Sequence, residues 1–405
     1  LCTEMPCLNI TAHLSKRFKN VVSLYILILT VYGLTYISLH MPDVPTGHVI
    51  RALGYKDRNH SSDRSCARSV HTERPEELDF PLAYSIMVFT DLDRAVRLLK
   101  AVYRSHNQYC IHVDRKTPKA SESYLHQAAM LLGSNILFVP PEKRVNVKWG
   151  TLSVLQPELL CAQLLMQADA KWKYWINLTG HEFPLKTNWE IVSALRAMNG
   201  TNVVEAIYKK RKETRIQTLN TAFSSRPRAT MTAISTPQFT WYKGPVHVIV
   251  RREFVDYMLN NPRAKQLYNT LARQAANKVP DETYFATLNH NPDTFPIPGA
   301  FLGVHETNWP QSIARFKIWN DREWARGSKQ WIREICMLGW ADLPKLQSSP
   351  QLFANKFVPS VEPDAYGMLE LWLARKVHYE TTYGRRHPSF NLSYYRNHEM
   401  SWNHL

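Results

Sequence analysis

The chain has 405 residues, 44% apolar and 21% charged, a composition that excludes global disorder and leaves ample chain for one large core. Lys and Arg number 50 against 34 Asp and Glu, a formal charge of +16. These basic residues are spread along the chain without zinc-finger spacing, an RNP-like motif or a long basic helix. Nucleic acid is therefore not the expected partner, and a small phosphorylated ligand suits the basic field equally well.

The sequence begins at Leu1 rather than Met, so an incomplete N-terminus is expected, with residues 1–20 as a short tail. Val21 to Leu39 (VVSLYILILTVYGLTYISL) is an uncharged run of 19 residues, near the length that crosses a bilayer as a helix. Lys16, Arg17 and Lys19 precede it, which places the tail in the cytosol and the rest in a lumen. The run exceeds the apolar part of a signal peptide and lacks a small-residue cleavage site. An uncleaved anchor over residues 21–40 and a single-pass type II topology are predicted. Residues 41–79 are polar, with Pro42, Pro45, Gly47 and Pro75, and read as a tethering stem. A domain over 80–385 and a C-terminal tail over 386–405 complete the expected organisation.

Asn59, Asn199 and Asn391 begin Asn-x-Ser/Thr triplets in polar or turn-like surroundings and are the expected glycan acceptors. Asn177 begins another within YWINLTG, which reads as a buried strand end. Cys2 and Cys7 fall on the cytosolic side. Cys66, Cys110, Cys161 and Cys336 fall in the lumen, where disulfides persist; their spacing alone leaves three pairings open.

Within the domain, Leu82–Thr90, Tyr109–Val113, Asn135–Val139 and Tyr174–Leu178 read as strands, the third of them short. Ala95–Tyr103, Ser121–Leu132 and Thr151–Ala168 read as helices between them, with Asp91 or Asp93 as a helix cap. The alternation predicts an α/β domain with an open, largely parallel sheet, whose ligands bind at the carboxyl ends of the strands. Asp114 and the loop after Leu178 lie at those ends.

The usual phosphate loops, the G-x-S-x-G elbow and H-E-x-x-H are absent. Asp91-Leu92-Asp93 has the D-x-D spacing that can hold a divalent metal, but its place after a strand suits a helix cap better. Val279 to Thr287 (VPDETYFAT) puts an acidic pair at a helix start, and Gln351 to Phe357 (QLFANKF) sets one lysine in an apolar run.

Taken in order, FPLAYSIMV (Phe80–Val88), YCIHVDRK (Tyr109–Lys116), WKYWINLTGHEFPLKTNWEIV (Trp172–Val192), VPDETYFATL (Val279–Leu288) and LFANKF (Leu352–Phe357) resemble glycosyltransferase family 14. This is the core 2 β-1,6-N-acetylglucosaminyltransferase group. The resemblance implies a GT-A, Rossmann-like domain behind an anchor and stem, in the Golgi membrane. It implies inverting transfer from a UDP-sugar, UDP-GlcNAc first, onto an O-glycan or glycoprotein, without a metal cofactor. UDP-glucose or UDP-xylose transfer is the alternative within the family. A non-catalytic luminal glycan-binding protein is the alternative of another class, and a homodimer is kept open as the assembly.

Residue by residue, the resemblance makes Glu282 the catalytic base and puts Asp114, Arg333 and Lys356 at the donor. Glu205, Trp319 and, with a one-residue shift, Lys212 and Arg215 match acceptor positions. Cys110 and Cys161 match a family disulfide. The chain departs from the family pattern at Phe89-Thr90, at Trp149-Gly150, which replaces a tyrosine-alanine pair, at Thr179, where a cysteine is expected, and at Asp321, where a tyrosine is common.

Overall fold

A computed structural model describes residues 73–168, 171–206, 240–273, 279–303, 312–319 and 327–405. The anchor Val21–Leu39, Asn59, Cys66, Lys212 and Arg215 lie outside the described residues. Among the described residues no helix is long and apolar enough to cross a membrane.

Three buried runs become the centre of a five-stranded sheet. They are β1 (Leu82–Val88), β2 (Gln108–Val113) and β4 (Tyr174–Thr179), flanked by β3 (Ile136–Phe138) and β6 (Ile249–Arg251) in the order β3-β2-β1-β4-β6. Pairing is parallel throughout except for β4 with β6. Their side chains alternate between two cores, as the two-residue period of a strand requires. Tyr84, Ile86, Tyr109, Ile111, Ile176 and Leu178 enter one core. Ala83, Cys110, Trp175 and Val250 enter the other.

Helices cover both faces. The first core takes α2 (Leu92–Val102), α3 (Lys119–Leu132) and α5 (Asn188–Ala197). The second takes α4 (Gln156–Gln167), α6 (Arg252–Asn260), α7 (Pro262–Arg273) and α8 (Asp281–Asn289). A disulfide between Cys110 in β2 and Cys161 in α4 fixes that helix to the sheet. The run expected as one helix from Thr151 divides into a 3-10 turn, Leu152–Val154, and α4, whose first turn contains Pro157. Proline lacks the amide that would continue an earlier helix into it. Asp91 occupies the cap position of α2 with a left-handed backbone, but its carboxylate makes no cap bond and instead meets His181 Nε2 at 2.8 Å.

Both ends of the described chain pack on this unit. In α1 (Pro75–Leu78), Glu76 accepts from Trp189 Nε1 at 2.8 Å and Glu77 from Asn188 Nδ2 at 2.6 Å. Residues 73–79 therefore dock on the start of α5, which is closed by a Thr187/Glu190 capping box. At the other end, the Leu405 amide donates to Ala300 O at 2.7 Å and the Gly299 amide to Leu405 O at 2.9 Å. Residues 403–405 thus close on the 299–302 loop, while the short helix α11 (Leu392–Arg396) packs on α5.

A second, three-stranded sheet is built from β5 (Glu182–Pro184), β7 (Arg315–Phe316) and β10 (Phe353–Asn355), with β10 central. Strands this short carry no readable periodicity. A buried ion pair ties them instead: Arg315 Nε donates to Glu182 Oε2 at 2.8 Å, and Asn355 Nδ2 donates to Glu182 Oε1 at 3.0 Å. Beside it, β8 (Trp331–Ile332) and β9 (Ile335–Cys336) form a hairpin. Two helices follow, α9 (Leu343–Ser348) and the long α10 (Pro363–Tyr383).

Candidate active site

Asp114 stands at the carboxyl end of β2 and is 4% exposed. Its carboxylate accepts from the Lys116 amide at 2.8 Å, from Lys116 Nζ at 3.0 Å and from the Val147 amide at 3.2 Å. Lys116 Nζ also donates to Val147 O at 2.5 Å, and the Arg115 amide to Val145 O at 3.1 Å. The end of β2 is thereby stitched to the segment 145–150.

The same segment reaches one more of the expected residues, Arg333, and the approach to another, Glu282. Gly150 O accepts from the Val279 amide at 2.9 Å, three residues before Glu282. The Trp149 ring lies 4.4 Å from the Arg333 guanidinium. Arg333 and Glu334 form the two-residue turn between β8 and β9, and both have left-handed backbones, φ 52° and 66°. Such turns suit strand twist but favour Asn and Gly, so neither residue is there for turn propensity. Lys356 follows β10 directly. Burial, and then repulsion from Arg333, lowers the pKa of its ammonium from the ordinary lysine value. Arg333 thus acts on Lys356 as a like charge.

Glu282 lies in the first turn of α8, its side chain 30% exposed, with Lys243 Nζ 3.2 Å from Oε2. The preceding Asp281 is buried, and burial followed by repulsion from Glu282 raises its pKa to about 7. The Gly244 amide donates to Glu282 O at 2.7 Å. A Cβ at Gly244 would overlap the Glu205 carbonyl oxygen and meet Ala286 Cβ at 3.1 Å. Glycine is required here for close approach, and it brings the Glu205 segment against the Glu282 helix.

Lys317 lies beside one of the acceptor candidates, Trp319. Its ammonium lies 3.1 Å from His247 Nδ1 and 5.9 Å from the Trp319 ring. Burial lowers its pKa against the attraction of Glu205, Glu182 and Glu282. Glu182 is fully buried; burial alone would raise its pKa, but Arg315, His247 and Lys317 outweigh that and bring it to about 2. His247, with Nε2 2.9 Å from Glu182 Oε1, is lowered to about 4 by burial and then by Lys317. Trp319 pairs with Ile335 in an antiparallel bridge, which sets it beside the hairpin that carries Arg333.

Segment 145–150 thus links Asp114, the approach to Glu282, and Arg333, while Lys317 lies beside His247 and Trp319 and is attracted by Glu205. Lys243, Gly244, Lys317 and His247 escape the sequence reading. Only Lys317 carries a signal there: Arg315, Lys317 and Trp319 alternate along an extended run and so share one face. Asn199 and Asn391 are exposed, whereas Asn177 is 1% exposed and spends its amide on Val246 O and Val248 N. Cys336 is a buried free thiol.

The chain matches the family described as Core-2/I-Branching enzyme over residues 82–347. It is 32% identical over 319 residues to the human beta-1,3-galactosyl-O-glycosyl-glycoprotein beta-1,6-N-acetylglucosaminyltransferase 3, covering 76% of this chain and 71% of that one. It is 31% identical over 329 residues to the human N-acetyllactosaminide beta-1,6-N-acetylglucosaminyl-transferase, covering 79% and 77%. Among solved structures, the galactosyltransferase LgtC with donor and acceptor sugar analogues covers 72% of this chain at 11% identity and a TM-score of 0.35, a distant likeness. With a matched stretch that runs from β1 to α9 and relatives aligned over three quarters of its length, this chain belongs to the Core-2/I-branching family of sugar-transferring enzymes.

Proposed function

We propose that the chain transfers N-acetylglucosamine from UDP-GlcNAc, with inversion and in β-1,6 linkage, onto a galactosyl O-glycan. The observation that carries this reading is one segment, 145–150, holding together the end of β2, the approach to Glu282 and the Arg333 hairpin. An acceptor hydroxyl gives its proton to Glu282 as its oxygen attacks the anomeric carbon, and the bond to UDP breaks on the opposite face. A carboxylate in that position supplies general-base help worth about 10²–10⁴-fold. Arg333 and Lys356 meet the negative charge that grows on the leaving diphosphate. This is the part a metal plays elsewhere, and we propose that none is required. Asp114 belongs to the nucleotide end, and Glu205, Lys317 and Trp319 to the acceptor end.

The proposed setting is the Golgi lumen, with residues 21–40 as the anchor. The uncharged run Val21–Leu39 and the Cys110–Cys161 disulfide, which suits an oxidising compartment, support it. Incubating the full chain with UDP-GlcNAc, UDP-glucose and UDP-xylose, a core 1 acceptor and excess EDTA tests the reading. Addition of one N-acetylhexosamine supports it. Hexose or pentose transfer keeps the chemistry and changes the donor. No transfer, with metal restored and further acceptors tried, favours a glycan-binding role.

A further inference from the structure

We propose that Trp149 is a positioning residue that holds the Arg333 guanidinium in place for the diphosphate of the donor, an inference that rests on the function just proposed. Three observations lead to it. Arg333 projects from an exposed two-residue turn whose backbone, φ 52° at Arg333 and 66° at Glu334, favours neither residue. Conformations of that kind persist where surrounding contacts over-determine them. The indole of Trp149, 62% exposed and so not placed by core packing, lies 4.4 Å from the guanidinium.

The indole itself sits on a fixed mount. Val147 is bonded to Asp114, Gly150 to Val279, and Thr151 Oγ1 donates to Lys148 O at 2.8 Å. Stacking engages the face of a guanidinium and leaves its N–H edge for a phosphate. The stack also holds a cation whose repulsion, after burial, disfavours the ammonium of Lys356.

The test is calorimetric titration of UDP into the full chain in detergent, as wild type, Trp149→Leu, Trp149→Tyr, Arg333→Ala and the Trp149→Leu/Arg333→Ala double variant. An exposed cation–aromatic contact predicts that Trp149→Leu weakens UDP binding about two- to fivefold. Trp149→Tyr should keep most of the affinity, and Trp149→Leu should add nothing once Arg333 is gone, the signature of coupling. The thermal midpoint should not move, because an exposed ring is lost. Unchanged UDP affinity in Trp149→Leu, or an equal loss with and without Arg333, overturns the inference while leaving the function standing. A wild type that neither binds UDP nor transfers sugar overturns the function, and the inference falls with it.

Discussion

The Gly244 amide donates to the Glu282 carbonyl at 2.7 Å, while the α-carbon of the same glycine abuts the Glu205 carbonyl. One residue without a side chain therefore sets the spacing between the proposed base and a proposed acceptor carboxylate. Gly244→Ala forces the two apart. We expect a loss of about 1–3 kcal/mol in stability from overpacking, read by denaturant unfolding. A displacement of about 1 Å at the reacting groups can cost about 10²-fold, so acceptor turnover should fall by more than the stability loss explains.

Lys317 is drawn electrostatically to Glu205, Glu182 and Glu282. Lys317→Met keeps the stem of the side chain and removes the charge. Steady-state kinetics should show the acceptor KM raised about tenfold, in line with the loss of one hydrogen bond to a charged group. UDP affinity, measured by calorimetry, should not change. An equal loss at donor and acceptor would place Lys317 elsewhere in the mechanism.

Asp281 gives a pH dependence with a definite sign. Its folded-state pKa, about 7, lies above the ordinary aspartate value of 3.8, so the native state holds a proton the unfolded chain releases between those values. The native state therefore loses stability as pH rises from about 4 to 7, and the cost is complete above 7. Asp281→Asn keeps the shape and removes the titration. Thermal midpoints of the two proteins from pH 5 to 8.5 should diverge as pH rises, with the variant gaining. A constant offset would contradict the assignment.

Accessibility orders the glycan acceptors. Asn199 and Asn391 are exposed, while Asn177 lies in β4 with its side-chain amide and oxygen both hydrogen-bonded. Secretory expression followed by peptide mass spectrometry should find glycans at Asn199 and Asn391 and none at Asn177. Occupancy at Asn177 would require modification before β4 forms.

The central strands were legible because β1, β2 and β4 are buried on both faces and read as continuous apolar runs of strand length. The small sheet was not. Its strands of two or three residues exist through Glu182, Arg315 and Asn355, which lie far apart in sequence. Asp91 shows the limit of a local rule: its position is that of a cap, but His181, ninety residues away, takes the carboxylate. The expectations for Glu282, Arg333 and Lys356 came from a resemblance in motif order, since an acidic helix start or a lone lysine is ordinary by itself. Lys243 and Gly244 offered no signal, because their meaning depends on Glu205 and Glu282, which only folding brings beside them.

The most direct measurement compares wild type with Glu282→Gln, using UDP-GlcNAc and a galactosyl O-glycan acceptor. It follows turnover by product mass, linkage by NMR and UDP affinity by calorimetry. The account predicts β-1,6-linked N-acetylglucosamine from the wild type, and a loss of kcat of about 10²–10⁴-fold in the variant with UDP affinity retained. A Glu282→Gln protein that turns over like the wild type would contradict it.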